Sequence, residues 1–161
     1  MGKLWGGGAG GCRLGGSEHT RMQQLQRALK VARAAAGEGG PVVCGDMNAL
    51  VRNDYPDGDW QRLVTCAVQR GWEPREERVT THLAAEEGLV DAFATAGQGD
   101  GATFHLRPAD VWRRLDYVWL PPRALPWLRR CWVDQAAAAA AAASCHLPVL
   151  ADFDLGCIGE P

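Results

Sequence analysis

The chain has 161 residues, of which 47% are hydrophobic and 22% charged, with a net charge of −2. This length and balance suit one globular domain and exclude a disordered or fibrous chain. The small negative charge argues against a broadly basic surface that would hold any nucleic acid through counterion release.

Residues 1–16 carry eight glycines, and each costs ordering entropy, so a flexible leader is expected there. Ser17 then offers an N-cap. Met22, Leu25, Leu29, Ala32 and Ala36 follow at three- and four-residue spacing, the apolar stripe of an amphipathic helix that Gly37, Gly39 and Gly40 end. The apolar run Pro41-Val42-Val43-Cys44 is read as a strand running into the turn Gly45-Asp46-Met47-Asn48. Such a turn presents a carboxylate and a carboxamide at a sheet edge, where α/β proteins place ligands, although Gly-Asp-x-Asn also makes ordinary Asx-turns.

Asp57-Gly58-Asp59 opens a second helix with Trp60, Leu63, Val64 and Ala67 inward, stopped by Gly71, while Trp72 to Glu87 follows no clear period. Short β-like runs then cover 102–106, 115–120, 130–133 and 148–155. In the second of these Leu115, Tyr117 and Trp119 take one face and Val118 and Leu120 the other. Asp116 therefore lies in a buried strand and requires a partner. The tract Ala136–Ala143 reads as a low-complexity insertion in a surface loop, an addition that costs little.

Six cysteines at wide, irregular spacing, with no C-x-x-C pair, suggest neither a zinc site nor a disulfide framework; reduced thiols in an intracellular protein, cytoplasmic or nuclear, are expected. No stretch approaches the ~20 apolar residues of a membrane span.

Four segments in order, Gly45-Asp46-Met47-Asn48, Gly88-Leu89-Val90-Asp91-Ala92-Phe93, Arg114-Leu115-Asp116-Tyr117-Val118 and Ser144-Cys145-His146-Leu147-Pro148-Val149, resemble the endonuclease/exonuclease/phosphatase superfamily. Arg21 and Gln24 match an R-x-x-Q pattern upstream of its Gly-Asp-x-Asn strand. The resemblance covers about residues 18–155 and implies the C-terminal part of a DNase I-like two-sheet α/β sandwich. The expectation is one mixed sheet with flanking helices, the upstream half missing, and domain bounds of 17–161. A sheet face left uncovered by that missing half would be available for association.

The same resemblance implies a metal-dependent phosphoesterase using Mg²⁺ or Mn²⁺, with a phosphodiester or phosphomonoester substrate and nucleic acid among the candidates. It assigns Asp46 to the attacking water and to the metal, Asn48 and His146 to the phosphate oxygens, and Asp116 to the orientation of His146. Cys145 stands where the family usually has Asp in Ser-Asp-His, and a thiol is a poor ligand for Mg²⁺. The competing expectation is a catalytically impaired or truncated member that is structural or binds a partner.

Overall fold

The computed structural model describes residues 9–13, 16–73, 77–140 and 144–156. Ala9–Arg13 forms strand β1, which runs parallel to β2, Val42–Asp46, in the register Ala9 to Val42 through Arg13 to Asp46. This corrects the expectation of a leader without regular structure. The ladder to β2 supplies the backbone partners that local glycine propensity disfavours. The rest of that leader lies outside the described residues.

Helix α1, Glu18–Ala36, begins as expected at Ser17, whose side chain accepts from the Thr20 N–H, and ends at Gly37 with φ of 59°. Its Leu25 and Leu29 are buried against Val43, Met47, Tyr117 and Trp119. Helix α2, Asp57–Gln69, buries Leu63, Cys66 and Ala67. The stretch without a clear period contains a short helix α3, Arg78–Thr81, followed by a π-helical turn, His82–Glu86.

Seven more strands and one helix follow: β3, Val90–Asp91; α4, Ala92–Ala96; β4, Gly97–Gln98; β5, Phe104–Leu106; β6, Val111–Arg113; β7, Asp116–Leu120; β8, Leu128–Val133; and β9, Val149–Phe153. Gln135–Ala140 forms a 3₁₀ segment rather than a bare loop, and 141–143 lie outside the described residues.

The described residues form three sheets instead of one: β1-β2-β7-β3, β4-β8-β9 and the hairpin β5-β6. The cause is visible in β7. Tyr117 and Trp119 pack under α1, while Val118 and Leu120 pack against Leu128, Cys131, Val149 and Ala151 of the second sheet. The four-stranded sheet therefore has a buried cluster on each face, and the expected uncovered face is not found on it. A third cluster joins α2 to the hairpin through Leu63, Cys66, Leu106, Val111 and Leu115.

The chain has two tyrosines, Tyr55 and Tyr117, and both are buried. Burial raises the Tyr55 phenol to about 12 and Tyr117 well above its ordinary value. A raised acid pKa favours the neutral folded form, so this contribution to stability is complete below the unfolded value of about 10 and falls as pH rises towards 12. Titration of tyrosinate absorbance should stay flat up to about pH 11 and then rise together with unfolding. A reversible rise near pH 10 in folded protein would contradict this burial.

Candidate phosphoesterase site

The antiparallel register of β2 with β7 sets Asp46 opposite Asp116. The turn after β2 is pinned at several points. Met47 is 0% exposed in the core, its N–H donates to Leu115 O at 2.8 Å, and the Tyr117 hydroxyl lies 3.1 Å from Ala49 O. Asp46 Oδ1 accepts from the Asn48 N–H at 2.8 Å, and Asn48 adopts φ of 46°. The tetrapeptide is thus a true Asx-turn, and one oxygen of Asp46 is engaged in it.

His146 reaches the same sheet edge from the loop before β9. Ser144 Oγ accepts from the His146 N–H at 3.1 Å, and the Leu147 N–H donates to Thr103 O at 2.8 Å. The imidazole Nδ1 lies 2.7 Å from Asp116 Oδ2, so the partner Asp116 required is His146, in a half-buried rather than fully buried position. Ligand atoms of Asp46, Asp116 and His146 lie within 4.8 Å of one another. The Phe104 ring sits 4.9 Å from the imidazole, and the Arg113 guanidinium lies 4.8 Å over Phe104.

Asn48 borders a cleft of about 680 Å³ that is also lined by Arg21, Trp72, Glu73 and Arg113. Both arginines are buried. Sequence reasoning missed Arg113, Trp72 and Thr103 as parts of this region. Only Thr103, a polar residue inside an apolar run, left a local signal.

Four other acids have partners of their own. Glu18 pairs with Arg21 and accepts from the Val79 N–H at 3.3 Å. Asp91 caps α4 and pairs with Arg114, while Asp152 and Asp154 pair with Arg130 and Arg129. Arg114 also grips Asp54, and although burial alone would lower its pKa, these carboxylates hold it above its ordinary value. Cys145 is exposed and does not join the Asp46, Asp116 and His146 group.

Two carboxylates facing each other across a ladder repel unless a cation intervenes. Their hard oxygens fit a divalent metal, which takes one or two carboxylates and leaves its other positions to water and substrate phosphate. Asp46 is the residue that would hold it, since Asp116 Oδ2 is already taken by His146 and Thr103.

The endonuclease/exonuclease/phosphatase family model matches residues 4–146, and the chain belongs to this family. Among solved structures, an endonuclease/exonuclease/phosphatase from Bacteroides vulgatus is 24% identical with a TM-score of 0.58, the match covering 86% of this chain and 45% of that one. An AP endonuclease from Archaeoglobus fulgidus is 20% identical with a TM-score of 0.58, covering 91% and 61%. The 3′ phosphatase NExo from Neisseria, bound to product DNA hairpin, is 23% identical with a TM-score of 0.58, covering 85% and 54%. The chain thus spans about half the length of these proteins, which share its fold. No curated protein gives a significant match.

Met47→Ala should cost about 2–5 kcal/mol of stability, because the side chain plugs the core beneath the turn. Denaturant unfolding measures this, and a loss below about 1 kcal/mol would mean that the turn is not anchored there.

Proposed function

We propose that this domain hydrolyses a phosphate ester, a phosphodiester or phosphomonoester, by in-line attack of water. The observation that carries this reading is the convergence of Asp46, Asp116 and His146 beside the cleft bordered by Asn48. In a phosphoryl transfer the protein mainly positions groups and offsets charge. Asp46 orients the water and takes its proton. Asn48 holds a non-bridging oxygen through its carboxamide, and His146, oriented by Asp116, donates to the oxygens as negative charge builds on them. A bound Mg²⁺ or Mn²⁺ would polarise the phosphoryl group.

DNA is the first substrate to try, since the family relatives include an AP endonuclease and a phosphatase bound to product DNA hairpin. Arg113 and Trp72 in the cleft suit a phosphate and a base, respectively. The free thiols of Cys66, Cys131 and Cys145 agree with an intracellular setting, cytoplasmic or nuclear.

Purified protein with Mg²⁺ should hydrolyse a 3′-phosphate DNA hairpin or bis-p-nitrophenyl phosphate and lose this on chelation. Asp46→Ala and His146→Ala should each lower kcat/KM by about 10²-fold or more. Turnover without metal, or variants as active as wild type, would sink the reading.

A second reading, an impaired member that binds without turnover, rests on Cys145 at the usual Asp position. Cys145→Asp should then create or raise activity at least about tenfold, whereas an active wild type indifferent to this change would remove that reading.

A further inference from the structure

We infer that Thr103 is a positioning residue that holds Asp116 in contact with His146. Its side chain is 0% exposed and its Oγ1 has three partners. The Leu115 and Asp116 N–H groups donate to it at 3.1 and 3.3 Å. A hydroxyl has two acceptor positions and one proton. With both positions taken by backbone amides, the proton points to Asp116 Oδ2 at 2.6 Å.

Asp116 Oδ2 therefore receives a hydrogen and carries none of its own. Its contact with His146 Nδ1 at 2.7 Å then requires the proton to lie on the imidazole. In the neutral ring Nδ1 is protonated and Nε2 is bare. The polarity begins in the backbone of β7 and passes through Thr103 and Asp116 to His146. Thr103 also braces the loop carrying the histidine, its carbonyl accepting from the Leu147 N–H at 2.8 Å.

The catalytic consequence rests on the phosphoesterase reading, since a ring held in one tautomer presents Nε2 to substrate. The tautomer itself can be read without turnover. With ¹⁵N-labelled histidine at a pH where the ring is neutral, the His146 signal, assigned among the four histidines by its loss in His146→Gln, should show protonated Nδ1 and bare Nε2. The Thr103 hydroxyl proton should exchange slowly and show a nuclear Overhauser contact to the His146 Nδ1 proton. An Nε2-protonated ring in wild type, or no protected hydroxyl proton, overturns the inference even if no variant folds.

Thr103→Ser should keep the wild-type pattern, and Thr103→Val, which takes the hydroxyl away from Asp116 Oδ2, should loosen the Asp116 contact so that the His146 Nδ1 proton loses its protection from exchange. A folded Thr103→Val with that proton still protected overturns the inference. In turnover, Thr103→Val should lower kcat about tenfold or more with KM changed less than about twofold, and Thr103→Ser should restore kcat. Wild type without turnover would refute the proposed function alone, because the ring spectra decide the role of Thr103 separately.

Discussion

The antiparallel pairing of β2 with β7 puts Asp46 opposite Asp116 and Val43 opposite Trp119 in a single register. Side chains alternate with a period of two, so a slip of one residue would send Tyr117 and Trp119 out of the α1 cluster and separate the two carboxylates together. The core thereby holds the site in register. Apolar packing on both faces of β7 offsets the repulsion between two acids that an unsupported hairpin would not keep side by side.

The elements with strong periodicity were legible in the sequence. Leu25 and Leu29 announced α1, Leu63 and Ala67 announced α2, and the alternating faces of β7 were visible in Leu115 to Leu120. Motif order singled out Asp46, Asn48, Asp116 and His146, of which the structure brings Asp46, Asp116 and His146 together; their roles belong to the proposed function. The glycines of β1 could not be read correctly, since its strand character comes from pairing with β2, a tertiary term that outweighs propensity. Division into separate sheets was also invisible, for each strand buries a similar pattern whichever sheet it joins.

The remaining acids show a different limit. Nothing in the spacing of Glu18 and Asp91 identifies a ligand role, and in the structure one pairs with Arg21 and the Val79 amide and the other with Arg114 and the α4 cap. Composition lists carboxylates without saying which of them are already neutralised. Thr103 poses the opposite case, a residue without motif value whose hydroxyl makes three hydrogen bonds to Leu115 and Asp116 while its carbonyl accepts from Leu147 in the His146 loop.

Met47 sits between the two polar residues of its turn and is the most deeply buried of the four. The turn cannot swing outward as a hinged loop would, because lifting Asp46 requires withdrawing a whole side chain from the centre of the domain. Its backbone amide should then open only with the entire fold, far more slowly than surface turns do. A ligand gripping Asp46 is tied to the same event, so its binding free energy passes undiminished into resistance of the whole domain to unfolding.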